Sequence, residues 1–206
     1  RALCRAAARM AGAMSGIGHN RGPSLAGGAS WRTHCWTVAR AELLPTLPVE
    51  VVRLRVRRAK EIGLDYKTYA GVRAATGHDI VAFLFSANAL QLLRDSDRLP
   101  PEVASRLAAL RNAGRIVAVH PPLDPARTAA SLAAAGAAPE AAARAPQVSD
   151  NWTRTRTVLT GLLGAARRAP DQVLLIGDTA LERDWCAAGR LAGYLPAERY
   201  FGAPGR

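Results

Sequence analysis

Lysine is nearly absent from this 206-residue chain, occurring only at Lys60 and Lys67, although the formal net charge is +12 and the pI is near 11. Arginine therefore carries almost all of the positive charge, in a chain that is also crowded with alanine, glycine and proline. That joint bias is typical of a GC-rich coding sequence. The net charge is consequently weaker evidence for a polyanionic partner than its size suggests, and a basic surface has to be argued locally.

Cysteine and long apolar runs are also scarce. The three cysteines are far apart and form no C-x-x-C pair, which argues against a disulfide scaffold or a zinc ribbon and predicts reduced thiols in the cytoplasm. The longest apolar run, Ile80 to Phe85, is far shorter than the ~20 residues of a membrane helix. The sequence therefore predicts a cytoplasmic protein that does not enter the membrane.

The N-terminal region has no apolar periodicity, and residues 1–30 are predicted to be a flexible arm. The residues before Met14 contain arginine and no acid, as in a transit peptide, but a natural start at Met14 is favoured, with translated leader before it. The SGIGHNRGP segment that follows could grip an anion, but a flexible tail is the preferred interpretation. The domain prediction is one α/β domain over 31–202, with a helical part (31–78), a sheet core (79–195) and a tail (203–206).

Apolar residues at helical spacing occur after residue 30. Trp31 to Leu44 is predicted to be one helix, and a second begins after Pro48 and ends before Gly63, with Val49, Val52, Val56 and Ala59 facing the core. Asp65 is predicted to cap a third helix, from Tyr66 to Ala75. The last two resemble a helix-turn-helix pair, for which a packed pair with a solvated basic face is the alternative. The candidate nucleic-acid residues are Arg53, Arg55, Arg57, Arg58, Lys60, Lys67 and Arg73.

Short apolar runs then alternate with helical segments. Strands are predicted at Ile80–Phe85, Arg115–Val119 and Val173–Ile176, with an edge strand at Ala192–Leu195. This alternation predicts an α/β fold: a three-layer, mostly parallel, Rossmann-like sheet with helices on both faces and a helical N-terminal extension.

The segments that connect the strands are predicted to be helices in most cases and a loop in one. A helix is expected directly after Asn88 and through Leu93, and helices are expected between the later strands. The low-complexity segment 136–150 is predicted to be an exposed loop. No element is predicted from Arg199 onward.

Polar side chains follow each of the three main strands. Because the carboxyl ends of parallel strands lie at one edge of a sheet, these side chains are expected to converge there. The predicted catalytic residues are Asp178 and His120, the predicted ligand-binding residues are Ser86, Asn88, Asp124 and Thr179, and the predicted ligands of a possible Mg²⁺ are Asp178 and Glu182. Helix capping is the competing interpretation, and it is preferred for Ser86 and Asp124.

Two of these strand ends carry a family resemblance. VLLIGDTALERD resembles the fourth motif of the haloacid dehalogenase-like (HAD) superfamily, with Gly177 and Asp178 matching and Glu182 at the place of a second acid that is normally Asp. VAFLFSAN is similar to the second motif, which implies that Ser86 is a phosphate-binding hydroxyl. The resemblance covers about Ile80 to Leu195 and implies a HAD-like fold.

The same comparison reveals a departure. The superfamily's nucleophile lies in an Asp-x-Asp after the first strand, and no such element precedes Ile80, while Asp95-x-Asp97 follows a helix and a loop. Without a nucleophilic aspartate a phosphoaspartyl intermediate cannot form. The resemblance therefore implies a degenerate, ligand-binding or structural member, or, if an enzyme, a HAD-type hydrolase. Separately, the SGIGHNRGP opening resembles a group of bacterial proteins, and that similarity implies no function.

The function expected from the sequence is the binding of a phosphorylated small molecule or Mg²⁺ at the carboxyl edge of the sheet. One alternative is nucleic-acid binding through the basic helix pair. The other is a protein-interaction scaffold that uses the arm and the arginine stripe.

Overall fold

The computed structural model describes residues 47–202, and the helix predicted at Trp31–Leu44, the arm 1–30 and the tail 203–206 lie outside the described residues. The described elements, in chain order, are α1 (Val49–Glu61), α2 (Tyr66–Thr76), β1 (Ala82–Ser86), α3 (Pro101–Ala109), β2 (Gly114–Val119), α4 (Pro125–Ala134), β3 (Ala141–Arg144), α5 (Trp152–Ala165), a 3-10 turn (Pro170–Gln172), β4 (Val173–Gly177), α6 (Ala180–Gly189), β5 (Gly193–Pro196) and α7 (Ala197–Phe201). The part of the chain from Val49 onward forms one compact unit.

The five strands form one sheet in the order β3-β2-β1-β4-β5, and every neighbouring pair is parallel. This confirms the predicted α/β class and the four predicted strands. The central strand β1 is fully buried along its length, as a strand covered on both faces must be.

Alternate residues of β1 enter two separate apolar clusters, because successive side chains of a strand point to opposite faces. Phe83 and Phe85 pack with residues of α1, α2, α3, α4 and α7. Ala82 and Leu84 pack with residues of α5 and α6, including Leu159 and Trp185.

The helices α1 and α2 form where the capping residues of the sequence indicate them. The Asp65 side chain accepts a hydrogen bond from the Thr68 amide at 2.9 Å, and Gly77 closes α2 in the left-handed conformation, with φ of 76°. The predicted inward face of α1 is only partly correct. Ala59 is buried, Val52 and Val56 are half-buried, and Val49 is 63% exposed.

Three connection predictions are wrong. The segment after β1 makes a single turn instead of a helix, because Gln91 adopts a left-handed φ of 58° and the Leu93 and Arg94 amides donate to the Asp97 carboxylate. Part of segment 136–150 is the edge strand β3, which pairs with β2 through its backbone. The residues around Arg199 form α7, which is anchored by the buried ring of Tyr200. The centroids of the Tyr200 and Phe83 rings are 5.4 Å apart.

None of the helices between residues 47 and 202 combines the length and the apolarity that a bilayer-spanning helix requires.

Candidate functional site

The loops that follow β1, β2 and β4 meet at the carboxyl edge of the sheet, on the side chain of Glu182. The Asn88 amide, after β1, donates from Nδ2 to Glu182 Oε1 at 2.9 Å. His120, after β2, places its Nε2 at 3.6 Å from the same oxygen. Three connections that are distant in sequence thus share one carboxylate. We call the residues that meet there the strand-end cluster: Asn88, His120, Asp178, Thr179 and Glu182.

Glu182 is completely buried, and its charge is balanced by hydrogen-bond donors of the surrounding chain. Its Oε2 accepts from the Asp178 and Thr179 amides at 2.6 and 2.9 Å. The Thr179 hydroxyl in turn accepts from the Glu182 amide, so that the two residues form a capping box at the start of α6. The carboxylate therefore occupies the amides at which an external anion would bind.

Gly177 is required by this packing. A Cβ at this position would lie 2.9 Å from Glu182 Oε2 and 2.8 Å from Cε2 of Tyr194. Both distances are shorter than real Cβ contacts. The glycine that ends β4 therefore lets the carboxylate and the Tyr194 ring approach the backbone.

His120 lies between this carboxylate and an aromatic ring. Its imidazole stacks on the indole of Trp185, with ring centroids 5.4 Å apart and an interplanar angle of 20°. The side chain is 20% exposed. Burial lowers the pKa of His120, and the nearby Glu182 charge opposes that shift only in part. His120 Nδ1 and Trp185 Nε1 are both buried without a hydrogen-bond partner in the described part of the chain.

Two predicted ligand-binding residues accept hydrogen bonds from backbone amides. The Ser86 side chain is fully buried, and its Oγ accepts from the Ala89 amide at 3.0 Å. The Asp124 carboxylate caps α4 by accepting from the Arg127 amide at 2.9 Å. Capping, the interpretation preferred from the sequence, is therefore the observed use of Asp124, whereas Ser86 makes its bond within a turn because no helix follows it directly.

Asp178 is the exposed carboxylate of the strand-end cluster. With Asn88 it lines a depression of about 80 Å³, whose other side chains include Gln91, Glu198 and Phe201. Asn88 Nδ2 uses one of its two N–H groups on Glu182, which leaves the second N–H and the amide oxygen for a ligand. The depression therefore combines the Asp178 and Glu198 carboxylates with the carboxamides of Asn88 and Gln91.

No group of three or more histidine, cysteine, aspartate or glutamate side chains within residues 47–202 is arranged to hold a metal ion. Of the two predicted Mg²⁺ ligands, Glu182 directs its oxygens at N–H donors, whereas Asp178 is accessible. A preformed metal cage is thus lacking in the described part, and Mg²⁺ binding stays a prediction that rests on Asp178.

Six of the seven predicted nucleic-acid residues divide into two sets, and the seventh, Arg55, is half-buried. Arg53, Arg57, Lys60 and Lys67 are exposed. Arg58 donates to Asp79, Ile80 O and Asn112 O, while Arg73 Nη1 lies 3.5 Å from Asp79. The second set therefore fastens α1 and α2 to the start of β1, and DNA or RNA binding by the first set stays a prediction.

A comparison of the chain with protein-family models, with curated proteins and with solved structures finds no match.

Two charge arrangements that join residues distant in the chain were not predicted from the sequence. Thr179-x-x-Glu182 is a recognisable capping box, but the burial of Glu182 depends on Asn88, which lies 94 residues away. Asp79 accepts hydrogen bonds from the Tyr69 hydroxyl at 2.8 Å and from Arg58 Nε at 3.2 Å. No sequence spacing near Asp79 predicts these two contacts.

Proposed function

We propose that residues 79–196 form a three-layer, HAD-like and Rossmann-like domain that binds a phosphorylated small molecule without hydrolysing it. The observation that carries the proposal is the position of Asn88 and Asp178. In parallel sheets of order 3-2-1-4-5 the ligand crevice lies where the order reverses, outside the carboxyl ends of strands 1 and 4. Asn88 follows β1, Asp178 follows β4, and both line the same depression.

We infer the absence of hydrolysis from the residues that follow β1, the first described strand. In the HAD superfamily the Asp-x-Asp nucleophile motif follows the first strand, and after its first described strand this chain has Ser86-Ala87-Asn88. An amide cannot form an acyl phosphate, and the buried Ser86 hydroxyl accepts a backbone hydrogen bond. We therefore assign Ser86 and Asn88 to the place of the missing nucleophile motif instead of the second motif.

A phosphate in the depression requires a positive counter-charge, because the carboxylates of Asp178 and Glu198 are both nearby. Mg²⁺ is commonly held by one or two carboxylates together with phosphate oxygens and water, without a full protein cage. Asp178 is the accessible carboxylate that would hold it, and Asn88 would contribute its amide oxygen. Thr179 caps the adjacent helix, and His120 supports the buried carboxylate from the other side.

Thermal denaturation of the full chain tests the proposal, with Mg²⁺ alone, inorganic phosphate alone, and Mg²⁺ with each of several nucleotides and sugar phosphates. A ligand at about one hundred times its Kd adds about 2.7 kcal/mol to the free energy of unfolding, which raises Tm by several degrees. We expect a rise with at least one phosphorylated ligand plus Mg²⁺. Asp178→Asn should abolish it. The control Asp184→Asn, at an exposed position of α6, should retain it.

Equal ligand responses in the parent chain and Asp178→Asn would contradict the assigned site. Release of phosphate from an aryl phosphate, abolished by Asp178→Asn, would contradict the absence of hydrolysis.

A further inference from the structure

A second concave surface lies at the opposite edge of the sheet, between α1 and α2. It is a groove of about 320 Å³, which we call the α1–α2 groove. Val51 and Leu54 supply its apolar wall. Its charged side chains are Arg55, Arg58, Arg73 and Asp79. Three guanidinium groups thus face one carboxylate, and the groove is net positive.

The arginines of the groove are not equivalent. Arg58 lies 3.2 Å from the Asp79 carboxylate and 3.5 Å from that of Glu61, and Arg73 lies 3.5 Å from Asp79, so two carboxylates compensate these two arginines. Arg55 Nε is buried and has no acceptor within hydrogen-bonding distance in residues 47–202. A buried N–H without an acceptor is unfavourable, and because the Arg55 side chain lines the groove, it can turn toward an incoming carboxylate and satisfy its donors there.

The apolar wall is also incompletely covered. Leu54 is 60% exposed, and Val49 on the same helix is 63% exposed, although its spacing predicts a core position. A large apolar side chain of a partner placed against Leu54 and Val51 would remove this surface from water.

We propose that the α1–α2 groove binds an acidic segment of a partner protein. In this complex a large apolar side chain of the segment packs on Leu54 and Val51, and a neighbouring carboxylate accepts a hydrogen bond from Arg55. The charge of the groove and its apolar wall together favour a peptide over a nucleic acid. A phosphate backbone offers no apolar side chain to the wall.

The probe is a library of random peptides displayed on phage and selected against the immobilised full chain. We expect the recovered peptides to share an acidic residue next to a large apolar one. A labelled peptide with that shared sequence is then measured by fluorescence anisotropy. Arg55→Gln and Leu54→Ser should each weaken binding about tenfold, the value expected for one charge-assisted hydrogen bond or one buried side chain.

Arg156→Gln is the matched control, since it removes an exposed charge from α5 and should leave the affinity unchanged. Circular dichroism and thermal denaturation establish that each variant is folded. Neither Arg55→Gln nor Leu54→Ser touches the strand-end cluster, so this test is independent of the proposed ligand site.

Two results would overturn the proposal. One is the recovery of no shared sequence, or of a sequence whose binding is the same in all variants. The other is a labelled DNA duplex that displaces the peptide and whose own affinity depends on Arg55 but not on Leu54, since that pattern identifies a nucleic-acid surface.

Discussion

Glu182 shows how a carboxyl side chain can be buried without a lysine or arginine bonded to it. Two backbone amides and the Asn88 side chain donate to its carboxylate, and the neighbouring His120 has its pKa lowered by burial. Hydrogen bonds to an ionised acceptor are stronger than neutral ones, so a full set of donors can offset much of the cost of desolvation. The side chain therefore holds the loops after β1 and β4 together.

Replacing Glu182 by alanine should be strongly destabilising. Two backbone N–H groups and one amide would lose their acceptor inside the protein, and a cavity would remain. We expect the free energy of unfolding to fall by about 3 kcal/mol or more. Equilibrium urea denaturation measures this change. The control Glu198→Gln, at an exposed position of α7, should change stability by less than about 0.5 kcal/mol.

His120 should make stability depend on pH. Burial holds its pKa below the ordinary value of 6.5, so the unfolded chain takes up a proton before the folded chain does as the pH falls. The free energy of unfolding should therefore decrease as the pH drops through about 6.5, and this contribution should level off below the folded-state pKa. His120→Phe, which keeps a ring against Trp185, should remove that part of the slope. Tm measured between about pH 5 and pH 7 checks it; a slope that is unchanged in the variant rules out His120 as its source.

At the level of the elements, a glycine in β4 is required by packing, whereas a glycine in α5 is not. Gly177 ends β4 where any side chain would collide with Glu182 and Tyr194. Gly161 lies on the exposed side of α5, where an added Cβ would meet nothing within 4 Å. In the first position the glycine is imposed by packing, whereas in the second it only weakens the helix.

The two glycines give a matched pair of substitutions. Gly161→Ala should raise the free energy of unfolding by about 0.5–1 kcal/mol, through higher helix propensity and a less flexible unfolded chain. Gly177→Ala should lower it by about 1–3 kcal/mol, because the added methyl group overpacks the strand end. Both values come from urea denaturation under the same conditions. A Gly177→Ala variant as stable as the parent would mean that the strand-end cluster can rearrange freely.

The elements also show what a sequence can predict. α1, α2 and the buried strands were predictable because capping residues and short aliphatic runs act locally. β3 was not, since its Ala-Ala-Ala-Arg sequence lacks β-branched side chains and becomes a strand only by pairing with β2. The turn after Asn88 was missed for a similar reason: Asp97, several residues on, accepts the Leu93 and Arg94 amides. At the candidate site the convergence of strand ends was predictable from parallel topology, but the burial of Glu182 was not.

At the scale of the whole molecule, Asp79 connects the helix pair α1–α2 to the sheet. It lies just before β1, and its carboxylate accepts from Tyr69 of α2 and from Arg58 of α1. The Arg58 side chain continues the connection to the carbonyls of Ile80 and Asn112. The attachment of the helices thus depends on polar contacts as well as on the apolar cluster beneath them.

Asp79→Asn should weaken this attachment. Because the carboxylate is about one-third exposed, solvent screening limits the loss to about 1–2 kcal/mol. We expect amide hydrogen exchange within residues 49–76 to accelerate more than exchange in β1 and β4. Asp171→Asn, which alters an exposed contact with His78, serves as the control and should leave both regions unchanged. Equal acceleration in helices and strands would mean that Asp79 supports the fold as a whole.

The direction shared by all five strands has a consequence for how the molecule could work. Asp79 and the α1–α2 groove stand at the start of β1, and Asn88 stands past its end, so roughly 16 Å of buried strand separates the two surfaces. Neither occupant would obstruct the other sterically. A small molecule held at one end of β1 and a peptide held at the other can therefore be present together. α7 connects the two surfaces, because Glu198 and Phe201 line the depression while Arg199 donates to the Thr68 hydroxyl of α2.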